Sequence, residues 1–502
     1  MNWEVRLKIK LVLLLFIMIA CSGNPQEEFH NLHPELAQKM NSKISSIYED
    51  YNIYGDFLLG VVNENGLVYS LAMNRNILAG KPATLDINSP IYVASHTKAF
   101  TGTLLKILEE DGQVDLNKSM HDHLPEITFD GSIDTKAITV RHMLNHTLGF
   151  TSNPLVWKTA FLGYSNGNSE LIDDINSSYR YDPSHQFRYS NTGPIIAAMV
   201  AEKVTGNSWK KEMKQRIFLP LKMNNTSANV SDFKLEEIRP SIQMRNENEV
   251  FSSGFYKQDI TMSAAGGTIS TVNDLSKWLQ FNINRETSII KNKRSFDELH
   301  GQTVQQNRTY FTYKRHGYSL GWDIATYQAD TVLTRFGTYG GISFHLSFMP
   351  ARKVGIVAFS DEDGLHRLPH LMANYAYNLL IQKPNVEDIF NSEKEQFVEL
   401  YERNKKDPLP AEDMLFKDSQ ENDKLVGRYK NDKNWPEIII TNKEKSYEFK
   451  WGVLAGPIYK SADANRPYQA SLGPLMRTFA VHKNNGFVDS LFTGSLKYFK
   501  AN

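Results

Sequence analysis

Ile91-Tyr92-Val93-Ala94-Ser95-His96-Thr97-Lys98 is the stretch on which the fold turns. A short apolar run leads into Ser95. A helical pattern follows, with Phe100, Leu104, Leu105 and Leu108 on one face and Glu109, Glu110 and Asp111 at its end. Ser95 therefore stands at a helix start, where unpaired N–H groups and the dipole favour negative charge. Lys98, three residues on, lies one turn above it on the same face. A serine hydroxyl is a weak nucleophile until a base takes its proton, and an amine held over it can help.

The spacing recurs at Ser208/Lys211, Ser231/Lys234 and Ser288/Lys291. Only Ser95/Lys98 has an apolar lead-in and a long amphipathic helix behind it. For the others an N-cap serine with a solvated lysine is the simpler reading.

Working outward, the 502 residues are 41% hydrophobic, long enough for more than one globular unit. Basic and acidic residues balance at 56 each, which argues against a nucleic-acid or polyanion binder. Residues 1–20 read as a secretory signal: Arg6, Lys8 and Lys10 form a basic head, and Leu11 to Ala20 an apolar core too short to span a bilayer. Ala20-Cys21 resembles the lipobox of bacterial lipoproteins, with Cys21 lipidated as the mature N-terminus. Cys21 is the only cysteine, so no disulfide forms within the chain. Residues 21–34 read as a polar tether.

Pro34 to Tyr51 is helical by spacing, and Phe57–Val62 and Leu67–Met73 form a hairpin around Glu64-Asn65-Gly66. A helix-rich middle follows. Late strands are expected at Tyr318–Tyr327, Thr331–Gly337, Ile342–Phe348 and Lys353–Phe359. Early and late strands closing one sheet predict an α+β fold: an antiparallel sheet flanked by helices, with an inserted helical lobe and a cleft between. This domain spans residues 35–383. Residues 384–415 read as a charged linker helix, and 416–502 as a small all-β domain.

Tyr189-Ser190-Asn191 offers the partners that Ser95 needs. A tyrosine beside a lysine can be held partly ionised and serve as base. Asn191 points to the same side, where its amide could bond Lys98 or a substrate carbonyl. Tyr164-Ser165-Asn166 and Tyr429-Lys430-Asn431 match the same pattern but read as loop and packing tyrosines. The order Ser-x-x-Lys, Tyr-Ser-Asn and a late glycine-bearing strand resembles the beta-lactamase-related serine hydrolases. That group includes class C beta-lactamases, D-alanyl-D-alanine carboxypeptidases and esterases. Gly112-Gln113-Val114-Asp115-Leu116, Leu144 to Phe150, Phe187 to Gly193 and Ala265 to Thr271 agree with it. The resemblance places the third motif at Arg335-Phe336-Gly337, with arginine where the family has histidine or lysine. It implies Ser95 as nucleophile, Lys98, Tyr189 and Asn191 around it, and the N–H groups of Ser95 and Thr338 as oxyanion hole. Arg335 would hold a substrate carboxylate, and Gly337 would let substrate approach the strand.

His142/His146 and His121/His123 have pair spacing without an evident third ligand, so no metal is expected. Asp361-Glu362-Asp363-Gly364 reads as a solvated turn. The expectation is a lipid-anchored hydrolase of the bacterial cell envelope. It takes a peptide, beta-lactam or ester substrate and needs no cofactor; the rival is a penicillin-sensing receptor that binds without turnover.

Overall fold

The computed structural model describes residues 34–75, 84–129, 133–177, 179–182, 184–245, 249–252, 256–404, 414–416, 422–443, 446–473 and 475–501. The expected signal, residues 1–20, and Cys21 lie outside them. Among the described residues no helix is long and apolar enough to cross a membrane.

Helix α1 (Pro34–Tyr51) turns Leu36, Met40, Ile44 and Ile47 inward. Strands β1 (Phe57–Asn63) and β2 (Gly66–Met73) make the expected hairpin. The lobe follows, its main helices α2 (Thr97–Glu110), α3 (Thr192–Thr205) and α4 (Val272–Asn284). The chain then returns as β3 (Val304–Tyr310), β4 (Tyr313–Tyr318), β5 (Asp323–Tyr327), β6 (Asp330–Thr334), β7 (Gly337–Tyr339), β8 (Ile342–Met349) and β9 (Val354–Ser360). Helices α5 (Leu368–Leu380) and α6 (Val386–Asn404) complete this part.

These strands form one nine-stranded sheet in the order β2-β1-β9-β8-β6-β5-β4-β3, with β7 paired to β8. Every pairing is antiparallel. The early hairpin meets the last strand: Phe57 lies opposite Ser360 and Asn63 opposite Val354. That closure is what makes the middle of the chain an insertion.

Both faces of the sheet are covered, and the period of two shows it in β1. Phe57, Leu59 and Val61 enter a core with α1, α5 and α6, while Leu58 and Val62 enter the core of the lobe. Helix α6 is part of this packing: Phe390, Phe397 and Tyr401 are buried against α5 and the sheet, together with Glu393, which accepts from the Tyr327 hydroxyl at 2.9 Å and from Asn374 Nδ2 at 2.8 Å.

One expectation is corrected here. Asp361 and Glu362 are buried, not solvated. Glu362 accepts the N–H groups of Tyr54 and Gly55 at 2.9 and 2.8 Å, and Asp361 that of Asp56 at 2.7 Å. Arg239 pairs with Asp56 and Asp361. The acids tie the start of β1 to the end of β9, and a buried charge needs such partners.

The last segment is a closed eight-stranded barrel. Its strands are β10 (Gly427–Lys430), β11 (Ile438–Lys443), β12 (Ser446–Trp451), β13 (Leu454–Lys460), β14 (Tyr468–Leu472), β15 (Leu475–Asn484), β16 (Phe487–Thr493) and β17 (Leu496–Lys500). Closure leaves no edge strand exposed. The barrel docks on the lobe: Trp451 and Trp157 lie 5.7 Å apart, and the Val453 N–H donates to the Leu162 carbonyl at 2.9 Å.

Candidate active site

Ser95 is held by a strained turn between a strand and a helix. Ile91 and Tyr92 pair with Ser270 and Ile269, and the Val93 N–H donates to the Thr268 carbonyl at 3.0 Å. Ala94 then adopts φ +46°, a region costly for a residue with a side chain. A 3-10 turn, Ala94–His96, carries Ser95 just ahead of α2. The turn lifts the hydroxyl into the mouth of a cleft of about 240 Å³, lined among others by Tyr189, Arg308, Asp323, Arg335 and Thr338.

Two groups converge on Ser95 Oγ. Lys98 Nζ donates to it at 3.2 Å and Tyr189 OH at 2.9 Å. Lys98 is fixed by a second bond, to the Ala265 carbonyl at 2.6 Å. Tyr189 is fixed by Arg335, whose Nη2 donates to its hydroxyl at 3.1 Å, and by the His146 ring at 4.7 Å. Behind Arg335, Asp323 accepts from Nη1 at 2.9 Å and from Gln306 at 3.0 Å.

These contacts set the protonation of the site. Burial alone would raise the Tyr189 hydroxyl, but the charges of Arg335 and Lys98 overcome it and bring it down to about 8. Burial lowers Lys98 to about 8 as well, against the opposing pull of Tyr189. The two share one titration near neutrality. His146 is driven well below its ordinary value by burial, and then by Lys98 and Arg335, so it packs as a neutral ring.

Gly337 lies against the turn. A side chain there would come within 2.7 Å of the Val93 carbonyl and 3.0 Å of the Ser95 amide nitrogen. Glycine lets β7 approach the Ser95 N–H. Thr338, next along, is exposed at the cleft.

Ser95, Lys98, Tyr189, Arg335, Gly337 and Thr338 are thus brought together. Of the two partners expected for the Asn191 amide, Lys98 is not bonded to it. Asn191 stands at the start of α3 with its Oδ1 buried and unpartnered among the described residues, while Lys98 bonds Ala265 and Ser95 instead. Arg335 differs from expectation. It faces the cleft as the strand alignment requires, but it is only 6% exposed and already holds Tyr189 and Asp323. A guanidinium so paired is poorly placed to clamp a substrate carboxylate. Arg308 on β3 is exposed at the same cleft, over the Phe187 ring at 5.6 Å, with no carboxylate partner among the described residues.

The competing motifs sit elsewhere. Ser208 caps the helix Trp209–Met213, Ser231 bonds Asp259, and Ser288 is exposed. Tyr429 is in the barrel core, its hydroxyl on the Leu425 carbonyl at 2.6 Å. His142 completes a capping box with Thr139.

Sequence reasoning missed Asp323, Arg308 and Gln306. Asp323 had a signal, a lone acid in the apolar run Tyr318–Tyr327, where burial demands a cation. Strand β3 had little, because Val-Gln-Gln-Asn-Arg-Thr-Tyr is a polar edge strand.

Residues 40–377 match the family model described as Beta-lactamase. Protein flp of Staphylococcus aureus (strain MW2) is 23% identical over 314 residues, 61% of this chain and 59% of that protein. The match therefore spans less than two thirds of the curated relative. Among solved structures, the octameric penicillin-binding protein homologue from Pyrococcus abyssi aligns with a TM-score of 0.57 at 18% identity, covering 92% of this chain and 99% of that one. The D-amino acid amidase from Ochrobactrum anthropi SV3 complexed with L-phenylalanine aligns at 0.52 and 19%, covering 64% and 91%. At these identities the structural likeness is one of fold.

Proposed function

The chain belongs to the beta-lactamase family, and from that premise and the geometry of the cleft we propose that it is a serine hydrolase working through an acyl-enzyme. The observation that carries this reading is the convergence of Tyr189 OH and Lys98 Nζ on Ser95 Oγ, with Gly337 pressed against the Ser95 amide. In the form that has lost one proton, the Tyr189–Lys98 pair takes the hydroxyl proton of Ser95. The Oγ–carbon bond forms, and the carbonyl oxygen takes its negative charge toward the N–H groups of Ser95 and Thr338. Such a donor is worth about 3–4 kcal/mol of barrier. Tyr189 returns the proton to the leaving nitrogen or oxygen as the scissile bond breaks. Water then attacks the acyl-enzyme through the same base and frees Ser95.

The substrate is an amide or ester. The amidase that shares the fold makes amides of D-amino acids the first to try. The cationic cleft, with Arg308 at its mouth lacking a carboxylate partner among the described residues, suits a leaving portion that bears a carboxylate. Part of the same proposal is that Cys21 carries a lipid holding the enzyme at the cell envelope, supported by the basic head and apolar run ahead of it.

Release of p-nitrophenol from p-nitrophenyl acetate tests the reading. Turnover should continue past one equivalent, and Ser95→Ala should abolish it while Ser208→Ala, Ser231→Ala and Ser288→Ala keep it. Release that stops at one equivalent would mean a receptor acylated without turnover. Loss in one of the three controls without unfolding would move the nucleophile.

A further inference from the structure

The outer wall of the barrel carries a cluster that the catalytic chemistry does not use. Among the described residues six large apolar side chains are exposed, and three of them are phenylalanines on two neighbouring strands: Phe487 at 72%, Phe492 at 38% and Phe499 at 47%. Phe487 and Phe492 lie on β16 and Phe499 on β17. Single exposed apolar residues need no explanation, but three together do.

Strand register puts them on one face. Val488, Leu491 and Tyr498 point inward and fill the barrel core. Phe492 stands opposite Lys497, and Phe499, two residues on from Lys497, stands opposite Ser490. Phe499 therefore falls between Phe492 and Phe487 on the outer side, in a stripe about 16 Å long. Lysines flank the rings. Lys497 Nζ lies 5.4 Å from the Phe492 ring and 4.6 Å from the Phe499 ring, and Lys430 is exposed opposite Phe499 on β10. Neither lysine has a carboxylate partner among the described residues. From Leu475 to Lys500 there are four Lys or Arg against one acid, Asp489, which His482 and Ser490 already hold.

The stripe is also free of the rest of the fold. In the closed barrel β16 and β17 are half the circumference away from the β12–β13 hairpin, which docks on the lobe. Rings among long cationic side chains suit a boundary between an acyl layer and phosphates: the rings enter, and the amines stay with the anions. The wall is convex, so it seats a soft surface better than a peptide. We propose that this face of the barrel rests on an anionic lipid surface, with the three rings at the headgroup boundary and Lys430 and Lys497 on the phosphates. The proposal is independent of the acyl-enzyme reading. It accords with a lipid on Cys21, because residues 22–33 between that cysteine and α1 reach at most about 45 Å.

The test uses the full chain with Cys21→Ser, so that no lipid is attached and an introduced cysteine is the only one. A nitrobenzoxadiazole label is placed at Phe487→Cys or, as a control, at Lys460→Cys on β13. Vesicles of phosphatidylcholine are added, with or without phosphatidylglycerol. With phosphatidylglycerol the Phe487→Cys label should shift to the blue and become shielded from iodide, and the Lys460→Cys label should not. Residues 1–20 can bring every variant to the vesicle, but attachment through them alone leaves both labels in water. Lys430→Gln and Lys497→Gln should each lower the ratio of shielded to free label about fivefold, the scale for one lysine at an anionic leaflet. Phe492→Ser with Phe499→Ser should abolish the shielding. A Phe487→Cys label that stays in water while the protein sediments with vesicles overturns the proposal. So does equal shielding of the Lys460→Cys label, shielding that survives the two serines, or shielding as strong on phosphatidylcholine alone. Shielding that grows with protein concentration in the absence of vesicles would assign the face to a second copy of the chain and overturn it as well. None of these readouts depends on Ser95.

Discussion

Lys98 and Lys257 are two buried amines in nearly the same physical state. Lys98 is 2% exposed and Lys257 4%. Burial lowers both, to about 8 and about 7. Each donates to backbone carbonyls, Lys98 to Ala265 and Lys257 to Ala160 and Thr261. They differ in what occupies the remaining direction. Lys98 has the Ser95 hydroxyl and an open cleft; Lys257 has the Tyr339 ring at 4.1 Å and the Phe161 ring at 5.6 Å. A depressed amine is therefore not a site in itself. It becomes chemistry when a proton donor or acceptor with access to substrate stands beside it.

The largest expected effect breaks the comparison directly. Lys98→Met should lower kcat/KM for a small ester by about 10²–10⁴-fold, the range for a lost acid–base group. Lys257→Met should leave the acetate ester close to the parent value, because Lys257 touches neither Ser95 nor Tyr189. Equal losses in both variants would show that burial of an amine, and not its contact with Ser95, is what the site needs.

A smaller effect sharpens the role of Arg335. Activity needs the Tyr189–Lys98 pair to have lost one proton, so it should rise with pH along a limb centred near 8. Arg335 favours the phenolate and disfavours the Lys98 ammonium; removing its charge raises both groups. In Arg335→Gln the limb should move up, by about one pH unit for each 1.4 kcal/mol lost. Arg335→Lys keeps a charge but cannot hold Tyr189 and Asp323 with one planar fork, so its limb should move less. A limb that stays in place, with only the KM of carboxylate-bearing substrates raised, would restore Arg335 as a substrate clamp.

The chain sequence carried the architecture where patterns were strong. Helix α1, the β1–β2 hairpin and α4 could be read from apolar spacing and caps, and the late strands β8 and β9 from apolar runs. Helix α5 could not, since nearly every residue from Leu368 to Asn378 is buried and no stripe survives. In the barrel, β13 was hidden by Gly456 and Pro457, and the run Leu491–Phe499 spans two strands around a turn at Gly494, φ +59°. The site divides the same way. Ser95, Lys98, Tyr189 and Gly337 are legible because motif spacing encodes them. Asp323 and Arg308 are not, because their places depend on which strands meet across the sheet.

The smallest effect concerns stability on the Lys257 side. Its amine titrates near 7 in the folded chain and near 10.5 unfolded. Between those values the unfolded chain binds the extra proton, so this group makes the fold more stable as pH rises from about 7 toward 10. At or below pH 7 the fold carries the full cost of burying an ammonium. Lys257→Met removes that cost. It also removes two hydrogen bonds, to Ala160 and Thr261 at 2.9 and 3.0 Å, and leaves those carbonyls unpaired. The lost bonds are a loss that pH does not change, whereas the removed titration is not. Urea unfolding at pH 6, 7, 8 and 9 separates them: the variant should fall furthest below the parent at pH 9, and the gap should narrow or reverse by pH 6. A constant gap across the series would mean that Lys257 is not held as a depressed amine, and the likeness to Lys98 would fail.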